Sequence, residues 1–105
     1  MTKRVAYAIT PTMEIESIAH KSLRKFVETG LSKGVIEPRR IKLMIALIAN
    51  ATSIDELKIP PNFGFHALTG DRADTYAMTV TRNWRLTFKK VDDQTIADLD
   101  LEDYH

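Results

Sequence analysis

The sequence predicts an α+β domain in which two N-terminal helices pack on an antiparallel, mostly meander sheet. Two observations carry that prediction. Apolar residues recur at helical spacing up to about residue 50, and alternate with polar ones after Pro60-Pro61. The alternating segments are also joined by links too short for anything but antiparallel pairing. Helices first and strands afterwards is the order of an α+β domain. A sheet covered on one face leaves its other face available to a ligand or partner.

Taken in order, residues 3–10 (KRVAYAIT) suit a short strand that Pro11 stops, and residues 14–18 (EIESI) a strand or a lead-in to a helix. From about Ala19 to Glu28, the set Ala19, Leu23, Phe26 and Val27 has helical spacing, and Gly30 is a natural stop. Gly34 and Pro38 punctuate the loop that follows. Pro38 fits the first turn of a second helix, whose apolar face is Ile41, Met44, Ile45 and Ile48. Ser53-Ile54-Asp55-Glu56 has capping-box spacing and opens one short turn before the prolines. Residues 63–68, 75–81, 84–90 and 95–101 then read as strands, with turns at Gly70-Asp71, Arg82-Asn83 and Asp92-Asp93.

The whole chain, residues 1–105, is the size of one domain. Its 44% hydrophobic and 28% charged residues exclude a disordered chain and a collagen-like repeat. No apolar run approaches the roughly 20 residues of a membrane span, and the Val5–Ile9 stretch is too short for a signal-peptide core. Without cysteine there is no disulfide framework and no thiolate chemistry, as expected of a cytoplasmic chain. The net charge of +1 hides an asymmetry. Residues 1–50 hold nine Lys/Arg against four Asp/Glu, whereas residues 51–105 hold six against ten. The basic half has the charge of a nucleic-acid or acidic-partner surface, although a solvated helix face has the same signature. Asp92 to Asp103 carries six acids and no base, which counts against a generic, whole-surface nucleic-acid binder.

Phosphate loops, nucleophile elbows and metal-ligand spacings are absent, and His20, His66 and His105 stand too far apart in sequence to suggest zinc. No cofactor is expected. What remains are groups suited to phosphate and proton transfer: His66, Arg72, Arg82, Arg85, Lys89 and the terminal Asp103-Tyr104-His105. Metal-free RNA cleavage needs one group to take the 2′-hydroxyl proton and one to protonate the departing 5′-oxygen. It also needs fixed positive charge at the phosphorane-like transition state. Histidine serves either proton role and guanidinium grips two phosphate oxygens. A sheet face gathering His66, Arg85 and His105 would hold all three. Each residue has a structural alternative. His66 can be tied to backbone, Arg85 can pair with an acid such as Asp103, Trp84 can be core, and Tyr104-His105 can be a frayed end.

From about Glu14 to His105 the sequence resembles the HigB toxins of the RelE/ParE superfamily. The resemblance lies in HKSLRKFVETG (20–30), ANATSIDEL (49–57), FHALTGDR (65–72), NWRLTF (83–88) and EDYH (102–105). It implies a RelE-like fold and a toxin of a type II toxin-antitoxin system. Such a toxin is a ribosome-dependent endoribonuclease that cuts mRNA in the A site, often at A-rich codons, by metal-free 2′-hydroxyl attack. It also implies a HigA-type helix-turn-helix antitoxin as partner, with operator DNA reached only through the complex of the two. Carried over by motif, His66 and His105 are candidate acid/base residues and Asp103 orients a histidine. Tyr104 positions a base or shares the proton work, and Arg85 holds the scissile phosphate. Arg72 and Arg82, with Lys21, Arg24 and Lys25 on the first helix, are candidate RNA contacts.

The sequence departs from the family's pattern at Thr69, where many relatives have Lys, and at Thr79 or Thr81, where an Arg is common. Two other readings fit the resemblance. One is a toxin of this fold that acts by protein–protein contact, as ParE-type relatives do on DNA gyrase. The other is a weakly active relative kept as antitoxin partner or corepressor. Residues 1–13 lie outside the resemblance, either as an extension or as sequence before a start at Met13.

Overall fold

The computed structural model describes residues 12–104. The strand expected over residues 3–10 and the terminal His105 therefore lie outside the described residues. Strand β1 (Glu14–Ile15) precedes helices α1 (Lys21–Thr29) and α2 (Pro38–Asn50). Strands β2 (His66–Ala67), β3 (Thr75–Thr79), β4 (Trp84–Asp92) and β5 (Thr95–Asp103) follow. Their order in the sheet is β1-β5-β4-β3-β2. Strands β2 to β5 form the expected antiparallel meander, but β1 joins the outer edge of β5 in parallel, pairing Glu14 with Thr95 and Ile15 with Ile96. The sheet is therefore mixed. Eighty residues separate those partners in the chain, so no short link dictates their direction.

The local chemistry of each element is visible at its ends. Helix α1 starts later than its apolar spacing suggests, because the Ala19 N–H donates to the Leu99 carbonyl and extends the β1 edge instead. His20 caps the helix: its Nδ1 accepts from the Leu23 N–H at 3.1 Å. Gly30 ends it at φ 81°, a left-handed conformation that costs glycine little, with its N–H on the Phe26 carbonyl. In α2 the proline is at the start, and Ile41, Met44 and Ile48 are fully buried. The Ile54–Lys58 segment is a 3₁₀ turn in which Ser53 makes no side-chain cap. Glu56 reaches back to the Thr52 N–H at 2.6 Å instead, one residue earlier than a capping box requires.

Strand β2 is shorter than expected because Phe63 and Gly64 have positive φ angles of 50° and 66° and cannot extend a strand. Val80 and Thr81 leave β3 for the turn, where both N–H groups donate to the Trp84 carbonyl. The core joins both layers: Leu23, Ile41, Met44 and Ile48 meet Met78, Leu86, Phe88, Ile96, Leu99 and Leu101. Trp84 packs against this cluster, in keeping with its structural reading. Phe65 stacks on Tyr76 with ring centroids 5.0 Å apart and closes the β2 end. No helix is long and apolar enough to cross a membrane among the described residues.

Residues opposite each other in a ladder share a face, and alternate residues return to it. Met78, Leu86 and Leu101 are thus the helix-facing row. The other face carries the row His66, Ala77, Thr87, Asp100 and the adjacent row Thr79, Arg85, Glu102.

Candidate active site

His66 and Arg85 stand on the same face of the sheet, one row and two strands apart. At ordinary strand spacing the lateral separation is about 10 Å. His66 is exposed on the edge strand, where its Nδ1 contacts the Gly64 carbonyl at 2.8 Å. A carbonyl only accepts, so Nδ1 carries the proton in this contact, which leaves Nε2 as the ring nitrogen for any proton exchange with a ligand. The loop before it is drawn tightly onto β3. The Thr79 N–H donates to the Phe63 carbonyl at 2.6 Å. A Cβ on Gly64, already at positive φ, would approach Thr79 Oγ1 to 3.2 Å.

Arg85 is half-buried at the β3–β4 turn. Its Nη1 donates to the carbonyls of Thr81 at 2.9 Å and of Arg82 and Trp84 at 3.2 Å. Its guanidinium carbon lies 4.6 Å from the centroid of the Tyr104 ring, a cation–π contact. Tyr104 is further held by its N–H, which donates to the Asn83 carbonyl at 2.5 Å. The penultimate residue is therefore docked on the turn rather than frayed. Asp103, just before it, is opposite Trp84 in the ladder, in a row that alternation places on the helix-facing side rather than on the face of His66 and Arg85. Arg82 is exposed in the turn itself rather than within a strand, so the alternation of β3 does not set its direction.

The second arginine of the face has a different setting. Arg72 ends the 3₁₀ turn Gly70–Arg72 and donates to both oxygens of Glu102, at 3.0 and 2.7 Å. Glu102 Oε2 also accepts from Thr87 Oγ1 at 2.5 Å. These hydrogen bonds, Arg72 first, hold the Glu102 carboxyl below the usual carboxylate range against the opposing effect of burial. The same pairing raises Arg72 above its ordinary value. Neither Glu102 nor Thr87 stands out in the sequence as a functional residue. Beyond their places in NWRLTF and EDYH, their sequence signal is alternation, which puts Glu102 on the face that carries Arg85.

Beside this pair lies a cleft of about 460 Å³ whose lining includes Asp71, Asp74, Asp98, Asp100 and Glu102, with Lys89 at its side. The acidic run of the C-terminal strand thus faces the centre of the open face. Arg85 and Tyr104 stand at the turn end. Lys21, Arg24 and Lys25 are exposed on α1, in the helical layer, and Arg24 Nη1 donates to the Ile18 carbonyl at 3.2 Å. Among the described residues no group of three or more His, Asp or Glu side chains is arranged to hold a metal ion.

Residues 16–105 match the family model of the HigB-like toxin, described as the RelE-like toxin of the type II toxin-antitoxin system HigB. The chain is 37% identical over 93 residues to Endoribonuclease HigB of Proteus vulgaris, covering 87% of this chain and 99% of that protein. Two solved structures are also similar. One is a YoeB/ParE toxin from Agrobacterium tumefaciens, with 15% identity, 89% and 100% of the two chains covered, and a TM-score of 0.49. The other is the solution structure of a conserved hypothetical protein from Helicobacter pylori, with 20% identity, 87% and 93% covered, and a TM-score of 0.45. A family match over most of the chain, with a relative of this identity along nearly its whole length, establishes the family: the chain is a HigB-like toxin of a type II toxin-antitoxin system, a class defined by pairing with an antitoxin.

Proposed function

We propose that this toxin is an endoribonuclease that cleaves translated mRNA in the ribosomal A site, without a metal, and so inhibits translation in the cytoplasm. Endoribonuclease activity rests on the likeness to the Proteus vulgaris protein named for it. The observation that supports a phosphate-handling site is the Arg85 guanidinium held against Tyr104 on the face that also carries His66. In the reaction, the 2′-oxygen bonds to phosphorus as its proton leaves, and the bond from phosphorus to the 5′-oxygen breaks. The products are a 2′,3′-cyclic phosphate and a 5′-hydroxyl. His66, with Nε2 available, and His105 are the candidates for the two proton transfers. Arg85 stabilises the charge on the non-bridging oxygens. Asp103 orients a histidine, and Tyr104 positions the base or shares the proton work. Arg82 and the α1 cations Lys21, Arg24 and Lys25 contact RNA along the ribosomal path. The partner is a HigA-type helix-turn-helix antitoxin, and operator DNA is bound only through their complex.

The test is mRNA cleavage in a reconstituted translation mixture, mapped by primer extension. It compares the wild type with His66→Ala and with a chain lacking His105, with and without ribosomes. Codon-phased cuts that need ribosomes and fall by roughly 10²–10⁴ in each variant are the expected result. Cuts without ribosomes would mean a free nuclease. No cuts from folded wild type would refute the proposal.

A further inference from the structure

Three side chains from distant parts of the chain meet on the open face. Arg72 follows β2 by five residues, Thr87 is in the middle of β4, and Glu102 is next to last in β5. The guanidinium is bidentate on the carboxylate, and the carboxylate is anchored to the sheet by Thr87, which is 1% exposed. A fork-on-fork ion pair fixes the relative plane of its partners as well as their distance.

The pair spans the two segments that carry the candidate chemistry. His66 is six residues before Arg72, on a strand of only two residues. Beyond that strand, the Leu68 N–H donates to the Thr75 carbonyl, and the turn then passes Gly70 at φ 73°. Tyr104 is two residues after Glu102, on the Asn83 carbonyl and under Arg85. We infer that Arg72 and Glu102 are a positioning pair, a clamp that holds the loop following His66 against the strand that ends in Tyr104. Neither residue touches the substrate. The fork of Arg72 is occupied by Glu102, so Arg72 serves the site through geometry rather than as a phosphate contact. The kinetic consequence rests on the nuclease reading; the structural one does not.

The experiment uses full-length chain with Arg72→Lys, Glu102→Gln and the double variant. Lysine keeps the charge without the fork, and glutamine keeps the shape without the charge. On programmed ribosomes, kcat falls by about tenfold or more in each single variant, as expected for a misplaced site, while KM stays within about twofold. The double variant loses no more than the worse single one, because both changes break the same ion pair. In ¹H–¹⁵N spectra of the free toxin, the His66 and Tyr104 amide peaks move in each variant while those of α2 hold. Unchanged His66 and Tyr104 peaks would overturn the clamp. So would unchanged kcat in folded variants, and a rise in KM alone would make Arg72 a substrate contact. If wild type itself does not cut, the nuclease reading fails, and the spectra alone decide the clamp.

Discussion

Arg72 and Arg85 share one face of one sheet and are held in opposite ways. Arg72 is bidentate on a carboxylate, beside a cleft lined by further acids. Arg85 rests on three backbone carbonyls and the face of Tyr104, none of which carries a negative charge. An approaching phosphate therefore meets a neutralised guanidinium at the centre of the face and an oriented cation at its turn end. The difference shows why net charge is a poor guide to function in this chain. Its formal total is near zero, yet the cations that matter are set by what each one touches.

The largest expected effect breaks the comparison at Arg85. Arg85→Ala raises the barrier to cleavage by about 2.7–4 kcal/mol, the scale of losing one preorganised donor. Single-turnover cleavage on programmed ribosomes measures it. Near-normal rates would reduce Arg85 to a brace for the turn. A second change sharpens the comparison with the helical layer. Replacing Lys21, Arg24 and Lys25 with Glu weakens ribosome binding, and the slope of log affinity against log salt falls by about 0.9 for each phosphate no longer neutralised. Sedimentation with ribosomes across a salt series reads it; an unchanged slope would leave those cations as a solvated surface.

Arg72 and Glu102 supply a stability test with a defined pH dependence. Glu102 is held below its ordinary carboxylate value, so its contribution is fully present above the ordinary carboxylate range. That contribution is lost as the pH falls through the lowered folded-state value. Glu102→Gln is then destabilising at pH 7 by about 1 kcal/mol, a modest figure because half of the Arg72 side chain is exposed. The deficit against wild type shrinks as urea titrations are repeated at more acid pH. A constant deficit would mean that the glutamine disturbs packing rather than charge.

Much of the fold was legible because it is written in local periodicity. Pro38, Ile41, Met44 and Ile48 specify α2, and the alternation in NWRLTF and after Asp93 specifies β4 and β5. The parallel β1 was not legible, since its partner strand is eighty residues away and only tertiary packing chooses it. In the candidate site, motif resemblance reaches His66, Arg85, Asp103 and Tyr104 residue by residue. The state of Arg72 escapes it: its partner Glu102 is thirty residues distant, and nothing in GDR or EDYH alone says that these two side chains meet.

His20 shows the same limit on a smaller scale. Read from sequence it is one of three scattered histidines, but in the fold its Nδ1 closes the first turn of α1 by accepting the Leu23 N–H. Ser, Thr, Asp and Asn are the usual residues at such a position. His20→Ala lowers stability by about 0.5–1 kcal/mol, whereas His20→Asp restores most of it because a carboxylate both accepts that bond and suits the positive end of the helix. Thermal melts of the two variants decide this. Equal melting temperatures for alanine and aspartate would mean that the ring contributes through packing.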